Sequence, residues 1–154
     1  MKQILIVCIG NDLVGDDGIG SAVWRQLSSR TLPDRIRLVN LGLGGLDLLE
    51  IMEGESLLIV VDAVQLGGVP GTVYCLESTE MTPAPGRPVS GHGIGLQEAL
   101  KMGAVLYPER MVEKAFFVGI EGKCFDQLGR GLSPKVEAAI PDAIRIIENL
   151  VAGE

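Results

Sequence analysis

Three observations predict an α/β fold for this chain, with helices on both faces of a mostly parallel sheet. Apolar runs of strand length at residues 3–9, 35–41, 55–62 and 111–120 alternate with segments whose apolar residues recur at helical spacing. These runs are rich in Val, Ile and Leu and show little polar alternation, as in strands buried on both faces. Aromatics make up only 4% of the 154 residues against 47% hydrophobic residues overall, so the core must be mainly aliphatic. Strands that alternate with helices stack as a three-layer α/β/α sandwich.

Residues 3–9 read as the first strand. A helix is expected over 17–31, with Ile19, Ala22, Val23 and Leu27 on one face. Residues 35–41 form the second strand, and Leu46, Leu49 and Met52 mark a short second helix. The third strand, 55–62, ends at Asp62, and a shorter fourth spans 71–76. Only eight residues, Ala63 to Pro70, separate those two strands. A parallel return needs about a dozen or more, so the fourth strand is expected to run antiparallel. Residues 78–89 are rich in proline and read as a surface loop. His92, Leu96, Ala99, Leu100 and Gly103 then mark one face of a helix, and 111–120 is the fifth strand. Ser133-Pro134 is a helix start, with serine as cap and proline in the first position. Pro141 inside the next pattern implies a kink or a fresh helix start. With no repeat or linker, residues 1–154 are expected to form a single domain. A chain of this length buries roughly 68–70% of its unfolded surface.

Charge narrows the function. Twenty acidic residues against 13 Lys and Arg give a net charge of −7. There is no basic cluster to release counterions from phosphates, so neither nucleic acid nor an anionic membrane is expected as partner. The first residues lead into a strand without the zones of a signal peptide. No apolar run approaches the about 20 residues of a membrane span. Cys8, Cys75 and Cys124 are widely spaced and form no C-x-x-C pair, which suits a reducing cytoplasm.

Three segments carry metal-competent side chains. Gly10-Asn11-Asp12-Leu13-Val14-Gly15-Asp16-Asp17-Gly18-Ile19-Gly20 directly follows the first strand, Asp62 closes the third, and His92, the only histidine, lies in Ser90-Gly91-His92-Gly93. Ligands of open α/β sheets bind beyond the carboxyl ends of the strands, where all three segments are expected. Each has a plainer reading. Asp16 and Asp17 serve as helix caps, Asp62 as a turn former, and His92 as a structural imidazole. Together, two carboxylates and an imidazole suit nickel, zinc or a related ion, and ligand type alone does not choose among them. Gly10, Gly15, Gly18 and Gly20 invite comparison with a phosphate loop. Their spacing is not G-x-G-x-x-G, no P-loop lysine is present, and Asp12, Asp16 and Asp17 would repel a pyrophosphate. No G-x-S-x-G elbow occurs, and Cys8 falls within the first strand, where it packs the core. Asp17 and Asp62 could supply an aspartic-protease dyad, but no D-[ST]-G loop accompanies them.

These residues resemble the hydrogenase maturation proteases, endopeptidases that process the large subunit of nickel–iron hydrogenases. The resemblance rests on Gly10-Asn11-x-Leu13-x-x-Asp16-Asp17-Gly18-x-Gly20, on Val61-Asp62-Ala63, and on Gly91-His92-Gly93. Val118-Gly119-Ile120-Glu121 and Gly131-Leu132-Ser133-Pro134-x-Val136 extend it over essentially the whole chain. It implies a twisted five-stranded sheet with one antiparallel strand, a phosphorylase/hydrolase-like sandwich. It implies Asp17, Asp62 and His92 as metal ligands and as the catalytic set. It also implies as substrate the nickel-loaded precursor of a hydrogenase large subunit, which loses a C-terminal extension. The nickel is then carried by the substrate, with zinc or cadmium able to replace it in a crystal, and a monomer is the default expectation. The alternatives are a nickel-binding escort without protease activity and a small-molecule hydrolase on the same scaffold. One departure stands out. Many members carry Asp-Gly-Gly-Thr after the second strand, where this chain has Asn40-Leu41-Gly42-Leu43.

Overall fold

The structure, a computed structural model, describes residues 2–42, 47–78 and 95–154. Five strands form one sheet: β1 Ile4–Ile9, β2 Ile36–Leu41, β3 Leu57–Val64, β4 Val73–Glu77 and β5 Lys114–Glu121. Their order across the sheet is β2-β1-β3-β5-β4. All neighbours pair in parallel except β4, which runs antiparallel to β5. This is the orientation that the short connection after β3 requires.

The helices are α1 Ile19–Ser28, α2 Asp47–Ile51, α3 Leu96–Leu106, α4 Pro134–Glu137 and α5 Ile140–Ala152. Alternate residues of each strand face opposite layers. Ile4, Ile6 and Cys8 of β1 and Leu57, Ile59, Val61 and Ala63 of β3 pack against α1, α4 and α5. Leu5, Val7 and Ile9 with Leu58, Val60 and Val64 pack against α2 and α3. β1 and β3 are buried along their whole length on both faces, which accounts for their uninterrupted apolar sequences. On α1, Ile19, Val23 and Leu27 are at most 2% exposed, each stabilising the helix–sheet contact by about 1.5–3 kcal/mol.

Several boundaries differ from expectation, each for a physical reason. The first helix does not begin at residue 17. Gly15–Gly18 forms a 3-10 turn, entered through Gly15 at φ +45°, and α1 starts only at Ile19. β3 does not stop at Asp62. Ala63 and Val64 continue the ladder opposite Ile120 and Glu121, so Asp62 lies inside the strand, opposite Gly119. Ser133 precedes α4 as expected, yet its side chain makes no cap bond. Pro141 marks a fresh start, in the first turn of α5. The helix expected around His92 is seen from Leu96 onward. His92 itself, Gly91 and Gly93 lie outside the described residues, as does the proline-rich stretch apart from Ser78. No helix among the described residues is long and apolar enough to cross a membrane.

Candidate active site at the carboxyl ends of β1 and β3

From β1 the chain passes first to β2 on one side and then returns to β3 on the other. In open α/β sheets such a reversal opens a crevice at the carboxyl ends of the two central strands. The loop leaving β1 and the end of β3 both border it.

The loop is held by its own backbone. Gly10 N–H donates to Leu41 O at 3.1 Å, Asn11 N–H to Asp17 O at 3.1 Å, Val14 N–H to Asn11 O at 3.1 Å and Asp17 N–H to Val14 O at 2.9 Å. The Asn11 side chain also accepts Leu13 N–H at 3.0 Å, closing an Asx turn. Asn11 thus braces this loop. Asp17 is half-buried on the 3-10 turn, and that turn lies beside β3. Asp62 is 1% exposed and belongs to the α2/α3 side of the sheet, with Val60 and Val64 two residues away on either side and Leu58 two further back. One of its oxygens accepts Ala63 N–H at 2.8 Å. An ionised carboxylate on an otherwise apolar strand is costly to bury, and such a group is kept only where it has partners.

Asp16 behaves differently from the cap that its position suggests. It is fully buried and bonds across the molecule. Oδ2 accepts Lys123 N–H at 2.7 Å, Cys124 N–H at 2.8 Å and the Ser133 hydroxyl at 2.8 Å, and Oδ1 accepts Ser133 N–H at 2.6 Å. Burial alone would raise its pKa, but the four donors outweigh that and hold the carboxyl below its ordinary value. A depressed folded pKa means that this stabilisation is present above the unfolded value and is lost as pH falls through the folded one. Glu121, 1% exposed, does similar work at the end of β5, where its carboxylate accepts Leu66 N–H at 2.9 Å and the N–H of Gly68. The sequence shows both acids in motifs but not these roles, because their partners are remote backbone amides that carry no local signal.

The departure at Asn40 is also visible. Its Oδ1 accepts the Ser21 hydroxyl at 3.2 Å, and that hydroxyl lies 3.3 Å from Gly10 O. Asn40 therefore links the end of β2 to α1 and to the start of the β1 loop, a bond that an aspartate oxygen would accept equally well. A separate groove of about 730 Å³ runs along the outer side of α1, between Asp12, Arg25 and Glu137. Neither Asp17 nor Asp62 lines it, so it is not the crevice between the central strands.

The model of the hydrogenase maturation protease family matches residues 22–150. The chain belongs to that family. The hydrogenase 2 maturation protease of Escherichia coli is 31% identical over 144 residues, 92% of this chain and 86% of the relative. Among solved structures, the hydrogenase-maturating endopeptidase HybD of E. coli superposes with a TM-score of 0.81 at 28% identity, covering 98% of this chain and 93% of that one. The [NiFe] hydrogenase maturation protease HybD of Thermococcus kodakarensis gives 0.78 at 28% identity, covering 96% and 98%.

As a hydrogenase maturation protease the chain is a peptidase, and its thiols can be weighed for that chemistry. Cys8 is wholly buried, and the burial pushes its pKa up to about 12, so it stays protonated and inert at neutral pH. A thiol reagent should accordingly label Cys75 and Cys124, which reach the surface, and leave Cys8 unmodified until the protein is denatured. Native labelling of three thiols would contradict this packing. Asp17 and Asp62, among the described residues that border the crevice, carry carboxylates of the kind suited to acid–base work. Among the described residues no cluster of three His, Cys, Asp or Glu side chains could hold a metal ion.

Proposed function

We propose that this hydrogenase maturation protease removes a C-terminal extension from a nickel-loaded precursor of a [NiFe]-hydrogenase large subunit, with Asp17, Asp62 and His92 reading the nickel. The observation that carries this reading is the placement of the two acids. Asp17 sits on the turn after β1 and Asp62 within β3, the two strands that flank the topological reversal. The side of the sheet to which Asp62 belongs is the one covered by α3, the helix that follows His92 in the chain.

Two carboxylates and one imidazole form a donor set suited to a borderline divalent ion. Three protein ligands leave positions open for substrate groups or water, as catalytic rather than structural sites do. In this reading the nickel is cargo of the substrate. The precursor engages the protease productively only when the ion offers coordination positions to these side chains. Held by these side chains, the ion would supply Lewis acidity to the scissile carbonyl or to an attacking water, and a carboxylate would take the water's proton and return it to the departing amine as the C–N bond breaks. The protein works in the cytoplasm as a monomer that meets its substrate transiently.

The test is the mass of the large subunit after incubation with the protease. Asp17→Ala and His92→Ala are each expected to slow release of the terminal peptide about 100-fold or more. Precursor without nickel should remain uncut. Full processing by His92→Ala, or of nickel-free precursor, overturns the metal-reading role.

A further inference from the structure

We infer that Asp16 is a positioning residue for the reaction: by gripping the segment that runs from Lys123 to Ser133, its buried carboxylate sets the turn that presents Asp17. This rests on the reading of Asp17 as a site residue and extends it to a neighbour with a different task.

Asp16 sits at the head of a helix, where an acid commonly caps free N–H groups. Neither the 3-10 turn nor α1 receives a side-chain cap bond. Instead the carboxylate reaches residues 107 to 117 positions further along the chain. Three of the four donors are backbone amides, which cannot rotate away, and the fourth is the Ser133 hydroxyl. The attachment is reciprocal, since Asp16 N–H donates to Cys124 O at 2.8 Å. The close approach is built in at Gly15, where a Cβ would stand 2.5 Å from Cys124 O.

The consequence falls on Asp17. Its N–H is tied to Val14 O and its carbonyl accepts Asn11 N–H, and the residue before it is clamped on both its peptide and its side chain. The backbone from Gly15 to Asp17 thus has little freedom, and the Asp17 side chain leaves it from a set position. The same clamp draws the far segment over the loop, as the bridge between Val14 and Leu128 and the bond from Gly129 N–H to Leu13 O record. A buried charge is weak support for stability alone, because apolar packing often serves as well. Geometric control of a neighbouring reactive group is a task that apolar packing does not replace, and displacement by about 1 Å can cost about 100-fold in rate.

The experiment compares Asp16→Asn with Ile147→Ala, a core variant in α5, at temperatures equally far below their respective melting points. Cleavage of nickel-loaded precursor is followed with maximal rate and KM determined separately. Asp16→Asn keeps the shape but sets an amide donor against one of the amide donors. It is expected to lower the maximal rate about 100-fold with KM within about threefold. The core variant should keep its rate. Ser133→Ala, which removes only the hydroxyl bond, should fall about three- to tenfold, and it carries the test if Asp16→Asn does not fold. A rate for Asp16→Asn equal to the core control, or for Ser133→Ala equal to wild type, overturns the inference. Asp17→Ala in the same assay separates the two readings. If it cuts normally, the site assignment fails. If it is inactive while Asp16→Asn cuts normally, only the positioning role fails.

Discussion

Replacing Gly20 with alanine is expected to cost about 4 kcal/mol or more, a large share of the about 5–15 kcal/mol that a domain possesses. Helix α1 crosses the end of β1 so closely that a Cβ on Gly20 would overlap the Ile9 carbonyl oxygen, standing 2.7 Å from the carbonyl carbon and 3.0 Å from the Ile9 nitrogen. These are backbone atoms of a strand paired on both sides, so they cannot yield as a flexible side-chain tip would. Either α1 lifts off the sheet, loosening Ile19, Val23 and Leu27, or β1 shifts in its ladder. A thermal melt should show a fall of roughly 8–16 °C, at about 2–4 °C per kcal/mol for a chain of this size, or insoluble protein. Gly42→Ala supplies the contrast. No atom of the described residues lies within 4 Å of a Cβ there, and its φ is not positive. The same chemical change should leave the melting point unchanged or raise it by up to about 1 kcal/mol of stability, because the unfolded chain loses freedom. Equal melting points for the two variants would refute the close approach of α1 to β1.

That contrast shows what a sequence reveals and what it hides. The alternation of apolar runs and helical faces encodes which residues turn inward, and the layers follow from it. The length of the β3–β4 connection fixes the direction of β4, and Pro141 announces the start of α5, because both act over a few residues. Strand order is another matter. β1 and β3 carry nearly interchangeable apolar runs, and nothing local tells β3 to pair between β1 and β5. The end of β3 was misplaced for a related reason. A carboxylate usually ends an apolar strand, but here the ladder with β5 runs past Asp62 to Val64. Ser133 and Asp16 were each legible as caps by their positions, and each gives its side chain to the other instead. The family motif placed Asp17 and Asp62 in the candidate site. The same motif holds Asp16, but the task of that acid carried no signal, because its bonds to Lys123, Cys124 and Ser133 exist only after folding.

Asp62→Asn is expected to abolish processing while leaving the fold in place. The side chain lies 1% exposed on a strand face otherwise made of Leu58, Val60 and Val64. There an ionised carboxylate carries a desolvation cost of several kcal/mol that a neutral amide of the same shape largely avoids. The Asn oxygen can still accept Ala63 N–H, the bond made by Oδ1. Charge is what the substitution removes, and charge is what a metal ligand or general base requires. Loss of such a group slows a reaction by about 100- to 10,000-fold. The expected outcome is therefore a melting temperature within a few degrees of the wild type, joined to a peptide-release rate lower by that factor. Activity lost while the fold is kept marks a residue retained for chemistry. Asp16 and Glu121 should not behave in this way, because their carboxylates hold several remote amides and their loss lowers the melting point. If Asp62→Asn melts about 10 °C lower and still cleaves the precursor, Asp62 is a structural carboxylate of that second kind, and the crevice between β1 and β3 loses one of its two acids.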